Sequence, residues 1–259
     1  MKKIFILVGL TISLNSFCQD NQDSLAKYSY SIVGFTLPKG GAFGSGFFIK
    51  NKNSLYLVTA KHVLTGCGNY GVELDNMPKS MNVFIKGPPL QAFNINTEII
   101  KKDIPCKESF YDSDFIVTII SNQFSNYVNS VEKLISPPYK NVKQVSIFGY
   151  PEYIYGKGND KYYFINPISM NLHKKIYGFY VKEDSLKNIN NASCFFEVDK
   201  FMEDYDSLGG FSGSPIFVQD DTSKKWRILG VFTGSGINYN GNTAIWFVPI
   251  EIIMNKINR

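Results

Sequence analysis

The chain has 259 residues, of which 44% are hydrophobic, and its 27 Lys and Arg against 22 Asp and Glu give a formal net charge of +5. That is enough apolar matter for a sizeable core, in one domain or two small ones. The positive excess is small and scattered, with no basic run and no interleaving of basic and aromatic residues, which argues against a nucleic-acid partner.

The first residues stand apart. Lys2 and Lys3 precede an apolar run from Ile4 to about Leu14, followed by a short polar stretch with small residues Ser16 and Cys18. This is the three-part layout of a secretory signal peptide, and cleavage is expected after Cys18, leaving Gln19 at the new N-terminus. The apolar run is too short for a stable span, and bulky Phe17 fits a lipid-modified Cys18 poorly. No internal stretch is long and apolar enough to cross a membrane. Export permits disulfides. The mature chain keeps Cys67, Cys106 and Cys194, an odd number, so one pair plus a thiol and three buried thiols both stay open.

Short strands separated by turn signals follow. Residues 28–37 (YSYSIVGFTL) read as a strand ending at Pro38, and residues 41–50 (GAFGSGFFIK) pair with 54–60 (SLYLVTA) across the turn NKN. Next come strands at 82–86 (NVFIK), 95–101 (INTEIIK) and 114–120 (DFIVTII). A stretch of mixed polarity from about 121 to 141 contains Pro137 and Pro138 and reads as a linker. Beyond it lie VKQVSIFGY, KYYFI, KIYGFYVK, ASCFFEV, SPIFV, RILGVFT and TAIWFVP, and the tail IEIIMNKINR has helical spacing. The 21 Phe and 16 Tyr suit half-buried pleated surfaces. About six strands on each side of a linker predict an all-β protein of two antiparallel six-stranded barrels or sandwiches, with a site in the cleft between them.

Which residues could do chemistry there? The acidic stretch DKFMEDYD (199–206) lacks calcium-loop spacing and reads as a solvated loop. With only His62 and His173 and no CxxC, a histidine-rich metal site is not expected, and no cofactor is implied. Residues 209–215, GGFSGSP, set Ser212 among small, backbone-permissive residues. Alone, this reads equally as a tight turn or as a nucleophile loop. Serine-mediated amide hydrolysis also needs an imidazole base, a carboxylate to orient it and N–H donors for the oxyanion. His62 follows a strand in VTAKHVL, and Asp114 heads the strand DFIVTII, with Asp112 as a nearby competitor. The order His, Asp, Ser excludes an α/β-hydrolase, which needs a histidine after the serine. A subtilisin-like order would need His173, which sits in the polar stretch NLHKK.

In that order the chain resembles the trypsin-like (chymotrypsin-fold) serine peptidases, and within them the exported bacterial members. The resemblance runs from about residue 40 to 250, through GSGFFI, TAKHV, DSDFIV, IFGYP, GGFSGSP and ILGVFTG. It implies two six-stranded β-barrels: residues 19–121 with His62 and Asp114, and residues 142–259 with Ser212 and a short C-terminal helix. A linker at 122–141 joins them. It implies that Ser212 attacks the carbonyl, His62 acts as base and then acid, and Asp114 orients His62. The N–H groups of Gly210 and Ser212 would form the oxyanion hole. Thr233, Gly234 and Ser235 would line the substrate cleft. Asp206 and Ser207 stand at the spacing where trypsin-like enzymes keep the floor of a pocket for Arg or Lys.

Two departures stand out. Phe211 occupies the position where animal digestive members carry an Asp that pairs with a freed N-terminal amine. That ion pair cannot form here, so the oxyanion loop must be held by packing, and the internal SIVGF (31–35) reads as a plain strand. Cys67 lacks the half-cystine that usually precedes the histidine. The implied function is a secreted endopeptidase, periplasmic or extracellular, acting on protein or peptide as a monomer, without metal or cofactor and without stable membrane insertion once the signal is removed. A binding module that has lost turnover and an esterase for small acyl substrates are the rival expectations.

Overall fold

Two antiparallel sheets carry most of the described residues. The computed structural model describes residues 24–36, 40–65, 79–85, 91–98, 114–135, 144–149, 157–158, 161–162, 175–181, 187–188, 194–201, 210–219, 225–237 and 241–259. The first sheet contains β1 (Tyr30–Thr36), β2 (Gly40–Asn51), β3 (Ser54–Thr59), β4 (Ser80–Ile85), β5 (Gln91–Asn96) and β6 (Ile116–Ile120), in the order β5-β4-β1-β2-β3-β6. The second contains β7 (Gln144–Gly149), β10 (Lys175–Val181), β11 (Lys187–Asn188), β12 (Cys194–Phe201), β13 (Pro215–Gln219), β14 (Trp226–Ile237) and β15 (Thr243–Pro249). Its order is β10-β7-β13-β14-β15-β12-β11, and β10 also pairs with β12. A small ribbon joins β8 (Lys157–Gly158) to β9 (Lys161–Tyr162). Among the described residues the bounded α-helices are the one-turn α1 (Lys61–Thr65) and a longer α2 (Ile250–Ile257). Among the described residues no helix is long and apolar enough to cross a membrane.

The mostly-β expectation is met. Two closed six-stranded barrels are not shown: β5 and β6 end the first sheet, with no pairing between them among the described residues. One strand is also displaced. The strand expected at 95–101 runs instead over 91–96, where Phe93 and Ile95 are buried and Ala92, Asn94 and Asn96 are exposed, a clean two-residue alternation. It stops because the Asn96 side chain accepts the Glu98 N–H at 3.0 Å, and this local turn competes with the ladder.

Strand β2 explains how the two sheets meet. Alternate side chains of a strand point to opposite faces. Phe48 therefore joins the first sheet's own core, with Tyr30, Ile32, Leu55 and Leu57. Phe47 and Ile49 point the other way, into a second cluster with Val58, Phe115, Phe148, Phe217, Val231 and Val248. This cluster lies between the sheets, and α2 adds Ile250, Ile253 and Ile257 to it at helical spacing. Each large side chain so buried contributes about 1.5–3 kcal/mol of hydrophobic free energy. A third core, with Phe196, Phe211, Ile216, Phe232, Ile245 and Phe247, fills the second sheet.

Both flanks of the first sheet are tied into this arrangement. A 3-10 turn at Ser24–Tyr28 buries Leu25 in the inter-sheet cluster, and the Ser29 hydroxyl donates to the Phe148 carbonyl at 2.7 Å. The stretch expected as a linker is described as far as Ile135, and it is packed. Val131 is buried, its N–H donates to the Phe48 carbonyl at 2.9 Å, and Ser130 forms a parallel bridge with Phe48.

Candidate active site

The register of β3 against β6 brings His62 to Asp114. Thr59 pairs with Ile116, so continuing both chains sets Lys61 beside Asp114, and the Lys61 N–H donates to the Asp114 carbonyl at 3.3 Å. The chain then turns into α1. That turn aims the His62 N–H at Asp114 Oδ1, 3.0 Å away, and sets His62 Nδ1 2.7 Å from Asp114 Oδ2. Both side chains are buried, at 9% and 10% relative exposure. An ionised carboxylate only accepts hydrogen bonds, so Nδ1 carries the proton in this pair. The Nε2 atom of a neutral ring then holds the lone pair and can take a proton. Asp112 lies outside the described residues.

Ser212 sits on a tight loop leading into β13. Gly210 has φ 82° and Gly213 has φ 89°, both in the left-handed region that favours glycine. The loop is bonded on two sides. Toward its own sheet, Gly213 N–H donates to the Phe232 carbonyl, Ser214 N–H to Phe211, and Phe232 N–H to Ser214, each at 2.8 Å. Toward the first sheet, Ser45 N–H donates to the Ser212 carbonyl at 2.7 Å, and Ser45 Oγ donates to the Gly210 carbonyl at 3.0 Å. Thr59 Oγ1 in turn donates to the Ser45 carbonyl at 2.6 Å. Among the described residues, no hydrogen bond engages the N–H of Gly210 or of Ser212.

Close approach makes these glycines necessary. A Cβ on Gly213 would lie 1.9 Å from the Ser45 carbonyl oxygen, and one on Gly44 would lie 2.5 Å from Val63 and 3.1 Å from the Ser212 carbonyl oxygen. Val63 follows His62 directly in α1. The serine loop is thus pressed against the strand and the turn that present His62.

Phe211 is fully buried in the core of the second sheet. A Cβ on Gly149 would lie 2.5 Å from its ring and 2.6 Å from Ser214 Oγ. Ser214 Oγ is itself buried, without a hydrogen-bond partner among the described residues. Packing therefore stands where an ion pair would otherwise hold such a loop.

Thr233 is buried at a β-bulge in β14, where the register against β15 shifts between Phe232 and Gly234. Bulges commonly re-aim a strand beside a site. Gly234 and Ser235 are half-buried. Asp206, Ser207, Cys67, Cys106 and His173 lie outside the described residues, as do residues 1–18. Cys194 is a buried thiol, pushed up to about 11 by burial first and by the nearby Glu251 second. Sequence reasoning gave Ser45 no role. The signal was the run Gly44-Ser45-Gly46 inside a strand, which marks close backbone approach.

No protein-family model and no curated protein matches the sequence. Solved structures do match. The active form of the Rv3671c protease from M. tuberculosis matches with a TM-score of 0.51 at 13% identity, over 91% of this chain and 82% of that one. A serine endoprotease from Yersinia pestis matches with a TM-score of 0.49 at 15% identity, over 90% of this chain but only 62% of that one. The protease Anisep from Arthrobacter nicotinovorans matches with a TM-score of 0.46 at 15% identity, over 86% of this chain and 89% of that one. The first likeness shows the fold alone: this chain is folded as the Rv3671c protease is.

Proposed function

We propose that the protein is a serine endopeptidase. The observation that carries this reading is the 2.7 Å bond between His62 Nδ1 and Asp114 Oδ2, beside a serine loop bonded to the neighbouring strand. In this reading Ser212 Oγ attacks the peptide carbonyl while His62 Nε2 takes its proton. Asp114 keeps the ring in the required tautomer and stabilises its charged form. His62 then protonates the leaving amine, and water hydrolyses the acyl-enzyme by the same relay. The oxyanion would be met by the N–H groups of Gly210 and Ser212. Two observations support that role: the left-handed backbone at Gly210, and the lack of another hydrogen bond to either group among the described residues. An extended substrate would add as a strand along Thr233, Gly234 and Ser235.

The two sheets would be the two barrels of this architecture, over 19–121 and 142–259, with the stretch 122–141 between them. Residues 1–18 would direct export to the periplasm or beyond the cell. N-terminal sequencing of the exported protein, expected to begin at Gln19, tests that part. The central test is a fluorophosphonate probe with casein cleavage as a parallel readout. Labelling of the mature protein and its loss in Ser212→Ala are expected. An unlabelled wild type, or equal labelling of the variant, would sink the proposal.

A further inference from the structure

The segment ahead of β1 is seated on the other sheet. Leu25 is 3% exposed and lies in the inter-sheet cluster with Phe148 and Phe217. The half-buried Tyr28 ring stands 6.1 Å from the Phe217 ring, which meets Phe148 edge-on at 5.7 Å. Ser29 is fully buried, and its hydroxyl donates to the Phe148 carbonyl at 2.7 Å. The next residue, Tyr30, opens β1 and pairs with Gly46 of β2. Adjacent residues of one strap thus bind the two sheets.

What the strap touches is what carries the serine loop. Phe217 lies on β13, the strand into which that loop leads, and Phe148 lies on β7. The two strands are paired, Ile216 with Ile147 and Phe217 with Ser146. The carbonyl that Ser29 holds belongs to the peptide bond between Phe148 and Gly149. A peptide unit is planar and rigid from one Cα to the next. Together with the β7 ladder, a hold on its oxygen fixes the Gly149 Cα. Against that Cα sits Phe211: one added carbon there would lie 2.5 Å from the Phe211 ring and 2.6 Å from Ser214 Oγ. Packing this close passes a displacement on to its neighbours. Phe211 stands between Gly210 and Ser212, so the path from Ser29 ends on the residues that flank it.

We propose that the strap Ser24–Ser29 positions the serine loop, with Ser29 as a positioning residue that holds the Phe148–Gly149 peptide and, through Gly149, the seat of Phe211. Tyr28 supports the same place from the β13 side, through Phe217. The role rests on the reading of Ser212 as nucleophile. It gives the residues ahead of the first strand a part in turnover, although none of them touches the substrate.

The test measures kcat and KM on a peptide substrate, the rate of fluorophosphonate labelling and the urea midpoint for the mature protein and three variants. Ser29→Ala removes the bond to Phe148. It should lower kcat and the labelling rate of the folded protein by about tenfold to a hundredfold, with KM within twofold of wild type. Ile95→Ala is the control, because Ile95 is buried in the first sheet's own core. It should lower the urea midpoint and leave kcat within twofold of wild type. Wild-type kcat in Ser29→Ala, or an equal fall in both variants, overturns the proposal, since Ser29 would then contribute stability alone. Should Ser29→Ala fail to fold, Tyr28→Ala decides. It truncates a half-buried ring and should lower kcat about threefold to tenfold, and wild-type kcat in it overturns the proposal. Labelling of wild type with unchanged variants defeats this inference alone. Absence of labelling in wild type defeats the peptidase reading beneath it.

Discussion

The histidine half and the serine half of the site are held in different ways. His62 and Asp114 come from neighbouring strands of one sheet, and three hydrogen bonds tie their segments together: Lys61 N–H to Asp114 O, His62 N–H to Oδ1, and Nδ1 to Oδ2. The serine loop is held from outside its own strand. Phe211 is sunk in one sheet's core, and Ser45 grips the loop from the other sheet. Local register builds the first half, and tertiary packing builds the second. Damage to the first should remove chemistry and spare the fold. Damage to the second should take both together.

The largest separation should come from Asp114→Asn. It keeps the shape but no longer demands a proton on Nδ1, and on the proposed peptidase reading kcat on a peptide substrate should fall about 10⁴-fold. Denaturant unfolding should show a far smaller change than kcat does. Equal losses would mean the pair is structural. Next comes Phe211→Ala. Truncating a buried phenylalanine should destabilise the protein by about 3–5 kcal/mol in urea titration. The folded fraction should also lose fluorophosphonate labelling, because the loop loses its anchor. Full labelling of the folded variant would show that other contacts hold the loop. The smallest effect should come from Ser45→Ala. It deletes the bond to the Gly210 carbonyl but keeps the Ser45 N–H bond to Ser212, at a cost of about 1 kcal/mol. A modest fall in kcat with KM unchanged would fit a loop-positioning role.

The same contrast explains what could be read from the chain. The strand-end settings of His62 and Asp114, which the structure bonds together, and the tight loop at Ser212 were legible because each carries a local signature, and their order excludes one serine-hydrolase layout and disfavours another. The burial of Phe211 was legible too, since an apolar residue at that place leaves only packing to hold the loop. Ser45 was not legible as a brace, because its partners Gly210 and Ser212 are far away in sequence and only the meeting of two sheets makes them neighbours. The offset of β5 came from weighing β-branched content over alternation: INTEIIK looked richer, but QAFNIN alternates.

The cluster between the sheets also bears on how the protein comes into being. Phe47, Ile49 and Val58 emerge early, yet their covering partners Phe217, Val231, Val248 and Ile253 emerge late. Until then the first half presents an apolar face to whatever surrounds it, a state prone to association. Ser45 likewise waits for Gly210 and Ser212. A chain emerging from its N-terminus would therefore carry His62 and Asp114 well before the loop of Ser212. The three would be brought onto one site only after the closing strands and α2 had arrived.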